Sequence, residues 1–467
     1  MNNFDYLILG KNLGGLAFAD TMLTCSDATI AIIDDSPAIP KACKTLVNFP
    51  IGRMQDEHLG VGSYTFKDWR SQHRRAKIAD KDRSAGLQAY CAHLVTQRML
   101  PSGRVELFDG VEHFGNGHIR SLKDGHVRDL VARRRIVDAT RFPSTPCKAR
   151  IPSFSIAPGV HAIRPDQRDI RLSLQTSEFD SFCVLGGGRV GTEMVLTLLD
   201  LGVSHDKIRW VKSRDAWMLA AETRTDSSDR VHDGFSRQHE VLQAMAFAQN
   251  RSDLCLRLEH IGVIVRTSKD RLPVHFVPHQ ITHHDADRLS QVENVIRKGH
   301  VRAISEIGIL LSRGAVPMPS KSLYLDCTGQ SGSQYQTKAV FQPRSINLAD
   351  IRLNHPCFSA AMIGAIELLD LPTEEKNKLC APLRGGHMAE LFLTSLLNHH
   401  AWFHDVTLRN WLEGCRLDTG LQISAQRLNQ SEHVPKDLGA IRAILPRAII
   451  NLESMAQRDH ADVKRAF

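Results

Sequence analysis

A chain of 467 residues with 42% hydrophobic side chains is long enough for about three domains, or two interleaved ones, with buried cores. Its 59 Lys and Arg against 51 Asp and Glu give a net charge of +8, but the cations are scattered. The run Arg133-Arg134-Arg135 enters an expected strand, not a helix face with interleaved aromatics, which argues against a nucleic-acid partner and for phosphate-rich small ligands. No stretch reaches the ~18 uninterrupted apolar residues of a membrane span, and no basic leader precedes the first strand. The ten Cys show neither C-x-x-C nor Cys/His zinc spacing, so a cytoplasmic protein with reduced thiols is expected.

Residues 5–9, Asp-Tyr-Leu-Ile-Leu, form a short apolar run. It leads to Gly10-Lys11-Asn12-Leu13-Gly14-Gly15 and then to a helical pattern through Leu16, Phe18, Ala19, Met22 and Leu23. Strand, Gly-rich turn and helix in this order suit a dinucleotide, because backbone N–H groups and the positive helix end can approach the diphosphate. Gly10 makes the turn and Gly15 permits close helix packing. Asn12 stands where the usual fingerprint has its second Gly, so its side chain is expected near the phosphates. A second strand, Thr29–Ile33, ends at Asp34 and Asp35, about 20 residues past the turn, where a carboxylate can accept from ribose hydroxyls.

Ser84–Leu100 reads as a helix, followed by short strands at Arg104–Phe108, His118–Leu122, His126–Leu130 and Arg135–Val137, closing at Asp138-Ala139-Thr140. The strand Ser181–Leu185 then leads into Gly186-Gly187-Gly188-Arg189-Val190-Gly191-Thr192-Glu193 with a helix beyond it, a complete three-glycine fingerprint. The next strand, Ile208–Val211, ends in Lys212-Ser213-Arg214. Cations and a hydroxyl at that point pair with a 2′-phosphate, whereas an acid would bind a free 2′-hydroxyl, so NADPH is expected over NADH. A second series of strands, Val301–Ile304, Ile307–Leu311 and Leu323–Leu325, closes at Asp326-Cys327-Thr328-Gly329. The chain repeats itself in outline.

Turn, helix, meander and a closing Asp-Ala-Thr or Asp-Cys-Thr-Gly resemble the flavoproteins with two dinucleotide-binding domains over residues 5 to 330. The resemblance is greatest to the flavin-containing and N-hydroxylating monooxygenases and more distant to the pyridine nucleotide-disulfide reductases. It implies an α/β fold of two Rossmann-like domains with a helical C-terminal region. Residues 1–150 would begin the FAD domain, 151–329 would form the inserted NAD(P)H domain, and 330–467 would return to the FAD domain and cap it. It also places Asp138 and Thr140 against FAD, and Asp326, Thr328 and Gly329 against the nicotinamide dinucleotide. Residues 151–163 resemble a Phe…Gly…His stretch of that family, which makes His161 a candidate contact to nicotinamide or substrate.

At the family's C-terminal Gly-Asp this chain has Pro356-Cys357-Phe358-Ser359-Ala360, where Phe358, Ser359 and Ala360 are expected to offer N–H groups from a helix start. Amphipathic helices are expected around 387–400, 407–415 and 437–458, shaping a substrate pocket or a homo-oligomer contact. His275, His279 and His283 recur every four residues, but Pro273 and Pro278 oppose the helix that would align them. His400 and His404 lack a third ligand beside them, so no metal is expected. Cys43 stands alone and Cys183 lies within a strand, which argues against dithiol chemistry. The expected activity is an FAD-dependent NAD(P)H oxidoreductase, monooxygenase-like, on a small molecule. A non-oxygenating flavin reductase, or a degenerate member with a binding or assembly role, is the alternative, motivated by Asn12 and the missing Gly-Asp.

Overall fold

The computed structural model describes residues 2–35, 54–73, 83–115, 117–140, 152–164, 179–221, 230–328, 338–383, 387–417 and 436–465. Gly329, Cys43 and both expected domain boundaries lie outside the described residues. Strand β1 (Asn2–Leu9) passes through the Gly10 turn into helix α1 (Leu13–Cys25), and β2 (Ile30–Asp34) returns parallel to β1. A short hairpin, β3 (Gly60–Val61) and β4 (Tyr64–Thr65), leads to α2 (Phe66–Gln72), whose start is fixed by Thr65 and Asp68 capping each other's backbone. Helix α3 (Arg83–His93) continues as a π-helical stretch, Leu94–Met99, before β5 (Val105–Asp109) extends the parallel sheet beyond β2.

A meander follows: β6 (Val111–His113), β7 (His118–Ser121) and β8 (Val127–Asp138). The two strands expected at 126–130 and 135–137 are one 12-residue strand. It survives its arginine run because Arg133 and Arg134 are exposed and Arg133 reaches Asp5 at 3.2 Å. One end of β8 pairs antiparallel with β7, while most of its length lies parallel to β1.

The second unit opens with β9 (Ser155–Ile156), β10 (His161–Ile163) and β11 (Ser181–Leu185), then α4 (Arg189–Asp200) and β12 (Ile208–Val211). Between β12 and the rest of its sheet the chain inserts β13 (Ala216–Ala220), α5 (Arg230–Phe247), α6 (Arg251–His260), β14 (Ile264–Arg266) and β15 (His275–Ile281). The three inserted strands make a small sheet of their own. Helix α7 (His283–Ser290) and β16 (Val295–Ile296) return to the main sheet, whose order is β10-β20-β11-β12-β16, all parallel, with β20 at Ser322–Asp326. Strands β17 (Val301–Ser305), β18 (Gly308–Leu311) and β19 (Gly314–Pro317) form the second meander.

The chain then re-enters the first sheet as β21 (Ser345–Asn347), parallel to β8. Helix α8 (Pro356–Glu367) is buried along its whole length against α1, so closely that a Cβ at Gly364 would stand 3.1 Å from that of Thr21. The C-terminal part consists of α9 (Thr373–Lys378), α10 (Met388–His404), α11 (Val406–Gly414) and α12 (Lys436–Arg465). Residues of α10 and α12 share an apolar core with α5 and α6. His275 and His279 lie on a strand and His283 begins α7, as the prolines foretold. Among the described residues no group of three His, Cys, Asp or Glu could hold a metal ion, and no helix is long and apolar enough to cross a membrane.

Candidate functional site: two matched turns

The two Gly-rich turns are built from the same set of contacts. Gly10 and Gly186 both have positive φ, 101° and 124°, a backbone region that only glycine enters freely. Each donates its N–H at 2.8 Å to a carbonyl at the end of the neighbouring strand, that of Ile33 or Val211. A Cβ on Gly15 would lie 2.3 Å from the Gly10 carbonyl oxygen, and one on Gly191 would lie 1.9 Å from that of Gly186, so each helix can approach its turn only without a side chain there. The strand beside each turn ends alike as well. Asp138 accepts from the N–H (3.0 Å) and hydroxyl (2.6 Å) of Thr140, and Asp326 accepts from the N–H (3.0 Å) and hydroxyl of Thr328. The registers Leu9 to Asp138 and Leu185 to Asp326 put these closures directly next to the glycines.

At the helix starts, Leu13 and Gly14 in one turn, and Val190 and Gly191 in the other, have N–H groups with no partner among the described residues. Such paired donors at a positive helix end accommodate a phosphate. Both turns therefore fit a dinucleotide diphosphate. They differ in access: Gly188 is exposed and a Cβ there would meet nothing within 4 Å, while Leu13, Gly14 and Gly15 are buried.

Several expected contacts are placed otherwise. Asn12 adopts ordinary extended backbone (φ −89°, ψ 174°), and its side chain turns inward to accept from Gly15 N–H at 3.0 Å and donate to the Ala139 carbonyl at 2.5 Å. It caps α1 and ties the turn to the end of β8. Asp34 accepts the Lys11 N–H at 2.7 Å, so one carboxylate oxygen holds the turn itself; Asp35 is exposed beside it. The Lys11 ammonium is buried and pairs with Asp109 at the end of β5. This pair was legible only as a Lys inside the fingerprint.

In the second turn, the Thr192 hydroxyl donates back to Gly188 O at 3.2 Å, and the buried Glu193 carboxylate meets His279 Nε2 at 3.0 Å. Both face the protein, not the mouth of the turn. Lys212 is also turned inward, which corrects the expectation that it meets a phosphate. Only 3% of it is exposed, and its ammonium binds Asp215 at 2.8 Å and Thr267 at 3.1 Å and lies over the Trp210 ring. Ser213 and Arg214 remain outward, next to the turn. His161 is not brought to the site. It starts β10 opposite Leu323, at the end of the sheet away from Gly186, and is exposed.

At the start of α8, Ser359 is wholly buried and its N–H belongs to the helix ladder, donating to His355 O at 2.8 Å. Its hydroxyl accepts from Ile351 and Arg352 N–H, both at 3.2 Å. Among the described residues the open donors are Phe358, as expected, and Cys357, the residue before it. The loop before α8 reaches the second unit. Asn354, the one non-glycine with positive φ among the described residues, donates to Gln280 of β15. Burial pushes the Asp350 carboxyl up to about 6 against the pull of Arg189, the first residue of α4. The loop 350–355 thus lies between the starts of α8 and α4.

No family model matches the chain. It is similar to uncharacterized proteins of Mycobacterium tuberculosis and Mycobacterium bovis, 28% identical over 450 residues, with 92% of this chain and 80% of each relative covered. Among solved structures it is similar to a mutant flavin monooxygenase from Stenotrophomonas maltophilia (13% identity, TM-score 0.41, 82% of this chain and 100% of that one). An ornithine N-hydroxylase from Kutzneria sp. 744 has 11% identity and a TM-score of 0.42, over 70% of this chain and 81% of its own. An HOCl-induced flavoprotein disulfide reductase from Escherichia coli has 13% identity and a TM-score of 0.41, over 79% and 71%. At such identities and TM-scores, the site is read from its own geometry.

Proposed function

We propose that the chain holds FAD at the Gly10 turn and NADPH at the Gly186 turn, and acts as an FAD-dependent NAD(P)H oxidoreductase of the monooxygenase kind on a small molecule. Residues 1–150 and 330–467 would form the FAD domain with its helical cap, and 151–329 the inserted NAD(P)H domain. The observation that carries this reading is the duplication: two turns share positive-φ glycine, helix contact, Asp-x-Thr closure and an open pair of N–H groups. A chain with a single nucleotide to bind has no need of both.

FAD and NADPH, when bound, supply hydride transfer and, with oxygen, oxygen transfer to the substrate. The protein's own residues bind and orient. Leu13 and Gly14 N–H groups would hold the FAD diphosphate, and Val190 and Gly191 those of NADPH. Asp138 and Asp326 keep the Thr140 and Thr328 turns closed against the glycines. Cys357 and Phe358 N–H groups, at the positive end of a fully buried helix, favour negative charge beside the loop that joins the two units. A cytoplasmic setting, and a small-molecule substrate in place of nucleic acid or membrane, belong to the same proposal.

The degenerate reading draws on one observation, the Asn12 side chain that takes the Gly15 N–H for itself. A visible spectrum of the purified protein separates the two. We expect flavin absorbance that bleaches on anaerobic addition of NADPH and returns with oxygen. A colourless protein that takes up no FAD and oxidises no NADPH would end the enzyme reading, while bleaching that only an added acceptor reverses would indicate the non-oxygenating reductase.

A further inference from the structure

The adenosine side of the second turn is walled by residues 212–215. A Cβ on Gly187 would lie 2.5 Å from that of Lys212 and 3.4 Å from Arg214 O, so this segment rests directly on the turn. Within it, Asp215 faces inward. It accepts from Lys212 at 2.8 Å and from Arg297 Nε and Nη2 at 2.8 and 3.2 Å. Those cations hold the Asp215 carboxyl down at about 2 although burial pushes it up. Both oxygens of this acid are thus paired with cations inside the protein, which turns it away from a ribose 2′-hydroxyl.

Arg214 is left facing outward. Its Nη1 donates to Nε2 of His275, the first residue of β15, at 2.9 Å. A guanidinium only donates, so that ring nitrogen must be unprotonated. Burial, then Arg214, then Arg251 keep the His275 imidazole below its ordinary range. Arg251 itself donates to the Val274 carbonyl at 3.0 Å and faces Asp459 at 3.8 Å. An arginine held by a neutral imidazole instead of a carboxylate keeps its full charge available, and the imidazole becomes a second donor once an anion arrives to favour its protonation.

We infer that Arg214 and His275 together read a 2′-phosphate on the dinucleotide of the Gly186 turn and so select NADPH over NADH, with Lys212, Asp215 and Arg297 as the frame that aims them. The inference rests on the reading of that turn as a dinucleotide cradle. His275 comes from the inserted small sheet, 61 residues from Arg214 along the chain. The charged groups around the pair are Arg251 from α6, Lys212 and Asp215 from the segment after β12, and Arg297 after β16. A phosphate dianion between Arg214 and His275 raises the imidazole toward protonation, so binding takes up a proton and strengthens as the pH falls.

Isothermal calorimetry of the full-length protein with NADPH and with NADH, at pH 6.5 and pH 8, tests it. Arg214→Ala is expected to lose about tenfold to a hundredfold in NADPH affinity, the value of a charge-assisted hydrogen bond, with NADH unchanged. His275→Gln still offers an oxygen to Arg214 but cannot titrate, so it should keep most NADPH affinity while losing the wild-type gain at low pH. Any titration of the 2′-phosphate itself, near pH 6, is common to both proteins and cancels in that comparison. Because Arg214 is exposed and His275 is half-buried at the first position of its strand, thermal melting should stay close to the wild type. Equal binding of NADPH and NADH by the wild type, or Arg214→Ala weakening both alike, overturns this inference and leaves the cradle standing. Binding of neither dinucleotide overturns both.

Discussion

A methyl group added at Gly191 would lie 1.9 Å from the Gly186 carbonyl oxygen, backbone against backbone, whereas one added at Gly188 meets nothing within 4 Å. Gly191→Ala is therefore expected to lower stability by about 1–3 kcal/mol, as overpacking does, because α4 must move off its turn. Gly188→Ala should melt with the wild type yet weaken NADPH binding, since its methyl projects into the space the ligand would enter. Thermal melting and calorimetry together decide the matter; a Gly191→Ala protein as stable as wild type would contradict the contact drawn here. These glycines were legible in the sequence because the chemistry leaves no other residue for their positions. Lys212 was not. Its direction is set by Asp215, three residues on, and by Thr267, which local spacing does not bring near. Asn12 likewise reads as a side chain near phosphates until its two inward hydrogen bonds are seen.

Elements whose apolar runs pack on their own sheet were legible: β1 with α1, β11 with α4, and the closing strands β8 and β20. The inserted β13–α5–α6–β14–β15 block was not. Its helices carry many charged residues, and their apolar positions complete a core with β13, β14 and, from the far end of the chain, α10 and α12. The anchor of α8 also depends on distant partners. At its C-terminal end, Glu367 accepts from the Tyr6 hydroxyl at 3.2 Å and pairs with Arg135 at 3.2 Å and Lys376 at 3.0 Å. The Lys376 ammonium also binds the last helical carbonyl, Glu367 O, at 2.5 Å, placing positive charge at the negative helix end. Glu367→Ala would leave the buried Lys376 ammonium and the half-buried Arg135 guanidinium without their carboxylate, so denaturant unfolding should show a loss of about 3 kcal/mol. A loss under 1 kcal/mol, of the order of an exposed pair, would mean that water reaches this network.

At the scale of the molecule, the two units are parts of one chain threaded through itself: the second lies between β8 and β21, which are neighbours in the first sheet. Nothing local in the sequence says how the units touch: beside the apolar core that α10 and α12 share with α5 and α6, one contact is made by a residue in a strained conformation. Asn354 holds φ at +60° and spends its amide on Gln280 across the boundary. Left-handed backbone at a non-glycine residue costs roughly 1–2 kcal/mol, so the conformation persists only if the surrounding contacts offset it. Asn354→Gly removes the strain and the hydrogen bond together, and Gln280→Ala removes the bond along with the longer one from its own amide to the Ala220 carbonyl at 3.4 Å. The double-mutant cycle isolates the bond, with an expected coupling of about 0.5–1.5 kcal/mol in denaturant unfolding. The same cycle read in NADPH affinity asks whether the two cradles communicate through the loop 350–355, which also carries Asp350 under the influence of Arg189. Additive effects on stability would show that the units are held elsewhere; additive effects on affinity, with coupled stability, would make this contact a structural tie that the second cradle does not sense.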